Sequence, residues 1–195
     1  MYTLIVGLLA AIVFGASAGS ATAATGASVT NGATLATASG RVTMNAGGIN
    51  ENCTVRLGMT LNSSIAKRAG TTIGTVQSTA SGGSSITNCD LSTEGTVLHG
   101  IVVRYTSFAG TLPNITRINA SAPLAGFLLQ LPIFGSCLYQ GTVNAVFNRN
   151  VTTLEITSVA ISGTGLTGSP SGCPTPASLG GTLTVASPLP RINLI

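Results

Sequence analysis

The stretch Cys53-Thr54-Val55-Arg56-Leu57-Gly58-Met59-Thr60-Leu61 decides the fold. It puts Cys53, Val55, Leu57, Met59 and Leu61 on one face and Thr54, Arg56 and Thr60 on the other, the two-residue period of a strand buried on one side. Outward from it, further strand candidates are Ser28 to Ala36, Thr71 to Gln77, Thr96 to Tyr105, Ile115 to Asn119, Gly126 to Leu131, Cys137 to Phe147, Leu154 to Ser162 and Thr182 to Ala186. Gly82-Gly83, Gly163 to Gly168 and Gly180-Gly181 read as turns or loops between them. No stretch joins helical spacing to a convincing cap. Many short strands with such punctuation predict an all-β, single-domain antiparallel β-sandwich, with a closed antiparallel β-barrel as the alternative.

The four cysteines, Cys53, Cys89, Cys137 and Cys173, fall into two pairs with the same separation of 36. Four cysteines permit three pairings, and the local one, Cys53 with Cys89 and Cys137 with Cys173, is expected. In the chain-entropy picture each closed loop stabilises by roughly 4 kcal/mol. The equal separations also raise an internal duplication, in which Cys53 lies over Cys137, Val55 over Tyr139, and Gly83 to Ser85 over Thr167 to Ser169. The matching is thin beyond the cysteines, so coincidence between two disulfide-closed strand groups is the plainer reading. Zinc sites bring two ligands within a few residues of each other, and no two cysteines here are so close, so no metal is expected.

Leu4 to Phe14 is apolar over about the length of a signal-peptide core, and small residues follow at Ala16-Ser17-Ala18 and Ala21-Thr22-Ala23, either of which suits cleavage. The usual Lys or Arg near the start is missing. A retained anchor needs about 20 apolar residues, and Gly15 to Ser20 turns small and polar. Residues 1–23 are therefore expected to be a signal peptide and residues 24–195 a single disulfide-stapled β domain, secreted or at the cell surface. No later segment is apolar for long enough to form a transmembrane helix. Charged residues make up 6% of the chain, against roughly 25% in ordinary soluble domains, so solubility falls to hydroxyls and amides. The formal charge is +4, yet the eight Lys and Arg residues are scattered and only Lys67-Arg68 are adjacent. Nucleic-acid binding wants a clustered basic face with aromatic platforms, so no nucleic-acid partner is expected.

The titratable residues name no reaction. His99 shares a strand face with Val97, Ile101, Val103 and Tyr105, and Asp90 and Glu94 lie shortly upstream, so a Ser-His-Asp arrangement can be drawn. The G-x-S-x-G elbow is absent, and a lone strand histidine is ordinarily a packed or surface residue. Glycoside hydrolysis needs a carboxylate pair, and nothing in the spacing of Glu51, Asp90, Glu94 and Glu155 selects one. Tryptophan is absent and aromatic residues are 4% of the chain, which leaves little for stacking sugars. No Asp-rich loop suggests calcium. The N-x-S/T triplets at Asn52, Asn62, Asn114, Asn119 and Asn150 are what a chain rich in Ser and Thr produces by chance. Catalytic residues and cofactors are accordingly expected to be none.

Three segments carry a resemblance: Cys53-Thr54-Val55-x-Leu57, then Arg104-Tyr105-x-Ser107-Phe108-x-Gly110-Thr111-Leu112-Pro113-Asn114-Ile115-Thr116, and Cys137-Leu138-Tyr139. With the tail Arg191 to Ile195, the chain resembles exported, β-rich proteins of actinobacteria that have no established activity. The resemblance implies export, disulfides and β structure, and it assigns no functional residues. Such proteins carry a tryptophan before the Arg-Tyr pair, where this chain has Val97 to Val103 without one. The expected function is a non-catalytic structural or binding role outside the cell or at the envelope. Because charges that guard sheet edges are scarce, self-association along strand edges is one form of it. The alternatives are a membrane-inserted barrel, or a carrier whose cavity is lined by Phe127 to Leu131.

Overall fold

The computed structural model describes residues 24–30, 35–81, 83–92, 94–97, 100–111 and 114–194, and every helix or strand among them is a strand. The N-terminal segment 1–23, expected to be a signal peptide, lies outside the described residues. In chain order the strands are β1 (Gly26–Thr30), β2 (Ala36–Ala46), β3 (Ile49–Leu61), β4 (Ser64–Ala66), β5 (Thr72–Val76), β6 (Ser85–Thr87), β7 (Gly95–Val97), β8 (Ile101–Thr111), β9 (Asn114–Leu131), β10 (Gly135–Arg149), β11 (Ile156–Ser169), β12 (Ala177–Val185) and β13 (Arg191–Leu194). In β3 the alternation drives burial as expected. Cys53, Val55, Met59 and Leu61 are buried and Leu57 is half-buried, while Arg56 is exposed. Each fully buried aliphatic side chain contributes about 1.5–3 kcal/mol.

The antiparallel all-β expectation holds, and the pairing runs round a common core. Neighbours follow the order β9, β10, β11, β12, β2, β3, and the space between β3 and β9 is filled twice. Toward one end β5 and β8 bridge it, and toward the other β6 and β7 do. The inward faces meet in one apolar core, as in a sandwich, but hydrogen bonds continue around the perimeter through β9 and β10. This closure pairs most strand edges, while β8 beyond Tyr105 pairs with β9 on one side only. A second sheet, in the order β13-β1-β4, covers the end where β10 finishes and β11 begins. There Val29 N donates to Ser63 O, Ile156 N donates to Pro190 O, and Ala27, Val29, Ile65 and Ile192 are buried. This is the capped end. Both disulfides, Cys53–Cys89 and Cys137–Cys173, lie at the opposite, disulfide end, in the expected pairing.

Several boundaries differ from the sequence reading. Ser28 to Ala36 divides into β1 and the start of β2, and most of β2 was not anticipated. Its small residues, Ala36, Ala38, Gly40 and Ala46, carry a faint apolar alternation. It pairs with β3 from Ala36↔Met59 to Ala46↔Ile49, around Gly47-Gly48 with φ of 55° and 89°, the positive values that a tight hairpin turn requires. Thr96 to Tyr105 is divided between β7 and β8. Ile115 to Asn119 and Gly126 to Leu131 join as β9, which bulges at Ala122 to Ala125 opposite Gly141 to Val143. The expected turns at Gly163 to Gly168 and Gly180-Gly181 are instead parts of β11 and β12. Gly181 is there because β2 comes close: a Cβ on it would lie 2.6 Å from Arg41 O and 3.0 Å from Val42 Cα. Of the expected Gly82-Gly83 turn, Gly82 lies outside the described residues, and Gly83 lies between β5 and β6. The duplication overlay joins unlike places, since Gly83 to Ser85 leads into β6 whereas Thr167 to Ser169 ends β11.

Candidate functional site

The interior holds a cavity of about 100 Å³, bordered by apolar side chains from around the circuit, including Val42, Val55, Val103, Phe127, Phe147 and Leu183. Phe127, expected to line a cavity, does so; Leu129 and Leu131 border a smaller space instead, and Gln130 faces out. The outer wall is the reverse, with Thr43, Gln140, Asn144, Ser162, Thr182 and Thr184 directed outward. Transmembrane barrels present apolar residues outward, so this polarity speaks against the membrane-inserted alternative.

At the disulfide end the loops are held firmly. Cys89 and Cys173 fasten the loops that follow β6 and β11 onto β3 and β10. A carboxylate beside Cys53 is ordinarily an exposed loop residue, but β3 begins at Ile49, so its period carries Glu51 to the buried face, where it is 2% exposed. Its Oε1 accepts from Leu91 N at 2.8 Å and Ser92 N at 3.1 Å, tying the same loop to the core. Among the described residues, Glu51 Oε2 and the Tyr139 hydroxyl have no hydrogen-bond partner, and both residues border one small space of about 10 Å³. Burial pushes the Tyr139 phenol above its ordinary range, and its ring stacks on Phe127 at 5.5 Å. On the outer side of the loop, Asp90 accepts from Asn52 Nδ2 at 2.8 Å and Arg41 at 3.0 Å. The Asn52 hydrogen bond leads in holding its carboxyl below the ordinary value, and the Arg41 hydrogen bond and charge add to it against desolvation.

The same end exposes apolar side chains. In the Pro132-Ile133-Phe134 turn between β9 and β10, Ile133 is 86% exposed and Phe134 39% exposed. Leu91, on the loop tied down by Glu51, is 51% exposed. That loop reaches the end of β9, where Gln130 N donates to Glu94 O. The signal for this tip was present in sequence as an apolar pair bounded by Pro132 and Gly135.

The four carboxylates considered for catalysis face different surroundings. His99 lies outside the described residues. Glu51 points into the core and Asp90 to solvent, Glu94 is exposed, and Glu155 pairs with Arg191 at 3.2 Å at the capped end. Glu51, Cys53 and Cys89 lie close enough to suggest metal ligands, but both sulfurs are spent on the disulfide. Among the described residues Phe134 is the one exposed aromatic ring, so no stacking platform for sugars or bases forms.

What sequence order conceals is the distribution of charge. Lys67, Arg68, Arg104, Arg117, Arg149 and Arg191 all lie toward the capped end, with Glu155 as the carboxylate there. Glu51, Asp90 and Glu94 lie at the disulfide end with Arg41. Arg149 is buried, donating to Ile192 O and Ile115 O, and burial lowers its pKa. No family model, curated protein or solved structure matches the chain.

Proposed function

We propose that this chain is an exported, non-catalytic binding protein, akin to the actinobacterial proteins it resembles, that contacts a polypeptide partner through its disulfide end. The supporting observation is the convergence of both disulfides beside an exposed apolar turn, Ile133-Phe134. Loops positioned by a rigid scaffold are the usual carriers of binding, and the two covalent ties reduce the ordering that binding requires. Glu94, whose carbonyl accepts from Gln130 N at the end of β9, lies near this turn, which suits a protein surface with an apolar recess better than an anionic one. Two disulfides are typical of extracellular proteins, consistent with a signal peptide over residues 1–23 and a secreted or surface location.

The test compares wild type with Ile133→Ser/Phe134→Ser, following each through cell fractionation and then size exclusion with light scattering. After a high-salt wash that releases lipid-held cations, wild type is expected in a complex larger than one chain, and the variant as a folded monomer. A wild type that is monomeric in every fraction, or a variant that keeps the wild-type complex, overturns the proposal.

The internal cavity favours a second reading, a small apolar ligand held in the core. An apolar cavity of 150 Å³ accepts benzene or xenon, so about 100 Å³ suits xenon or a short hydrocarbon. Xenon NMR shifts localised to Val55, Phe127 and Phe147 would support it, and unchanged spectra would refute it.

A further inference from the structure

We infer that the capped end docks on an anionic phospholipid bilayer through Lys67, Arg68, Arg104 and Arg117. All four side chains are exposed, and among the described residues none is in an ion pair, whereas Arg41 and Arg191 are neutralised by Asp90 and Glu155. Tertiary pairing brings them to one end. Lys67 and Arg68 follow β4, and their loop lies along β8, where Gly70 N donates to Tyr105 O and Arg104 Nη1 donates to Gly70 O at 3.1 Å. Arg104 pairs with Ser121 on β9, and Arg117 lies four residues farther along β9 with the same outward parity.

A second observation selects a bilayer as the occupant. The described chain enters the fold at Ala24 and Thr25, and Lys67 N donates to Thr25 O at 2.9 Å. The apolar stretch Leu4 to Phe14 is therefore joined to the domain beside Lys67-Arg68. If that stretch is held in a membrane, the chain leaves it for the domain at the basic end, beside Lys67. The opposite end, with Asp90, Glu94 and the apolar turn, faces away from the lipid toward a partner.

An exposed Lys or Arg at an anionic surface is worth about fivefold in partitioning, so four together give several hundredfold. The contact is screened over about 8 Å at physiological salt, so it weakens as salt rises. The experiment uses exported protein recovered from the producing cells, with its N-terminus defined by mass. It is sedimented with phosphatidylcholine vesicles with and without phosphatidylglycerol. Any contribution from a retained apolar segment appears with both vesicle types, so their difference reports the cations.

Wild type is expected to prefer the phosphatidylglycerol vesicles and to be released by salt. Lys67→Gln/Arg68→Gln is expected to lower that preference about 25-fold, and adding Arg104→Gln/Arg117→Gln to abolish it. Arg56→Gln, away from the capped end, is expected to leave it unchanged. Equal binding to both vesicle types overturns the inference, as does a fourfold variant that keeps wild-type preference or a wild type that binds DNA but not vesicles.

Discussion

Ala145 and Ala120 face each other on β10 and β9, and both are buried, at 8% and 3% exposure. Ala145 borders the internal cavity and Ala120 does not. A void of about 100 Å³ at ~24 cal/mol per Å³ corresponds to about 2.4 kcal/mol of unrealised packing. Ala145→Val places two carbons in that space, worth about 0.8 kcal/mol each, so the gain is bounded near 1.6 kcal/mol before strain. The β-branched side chain also suits a strand. For a chain of this size the gain corresponds to a rise in Tm of about 3–6 °C. Ala120→Val has no void to fill and is expected to overpack, losing about 1–3 kcal/mol. Urea denaturation of the oxidised proteins checks both, with an unchanged m-value confirming that the midpoint reports stability. If Ala145→Val destabilises as much as Ala120→Val, the cavity is not space the core can use, and the reasoning fails.

Replacing Cys137 and Cys173 together by Ala opens a loop with a sequence separation of 36 and is expected to lower stability by about 4 kcal/mol, read from the urea midpoint. Glu51→Ala strips the acceptor from Leu91 N and Ser92 N and is expected to lose about 2 kcal/mol and speed hydrogen exchange at those two amides, with Glu51→Gln losing less. Asp90 has a folded pKa below its ordinary value, so its contribution is present above the unfolded carboxylate range and is lost as pH falls through the lowered folded value. The stability difference between wild type and Asp90→Asn should therefore shrink toward zero in acid. A difference that grows in acid would contradict the sign.

The strand of Cys53 to Leu61 was legible because its alternation is strong and local. β2 was not, because Ala, Gly and Thr differ too little in hydropathy for a period to stand out, although Gly47-Gly48 marks its hairpin. Gly180-Gly181 misled for a related reason. Glycine signals a turn when read along the chain, but at Gly181 it answers the approach of another strand's backbone. In the candidate binding end, the burial of Glu51 was missed, because a carboxylate beside a cysteine reads as an exposed loop residue and only the extent of β3, which starts at Ile49, turns it inward. The exposed Ile133-Phe134 pair also had a sequence signature, but its place beside the loops held by Cys89 and Cys173 did not.

By itself the sequence determined an all-β chain, because strand alternation depends on nearby residues, and it favoured the local pairing of its cysteines among the three it permits. Tertiary structure alone decided the closure, in which β2 meets β12 across pairs such as Ala38↔Val185. It also decided that scattered cations share one end, because residues distant in sequence become neighbours only when register between strands is set.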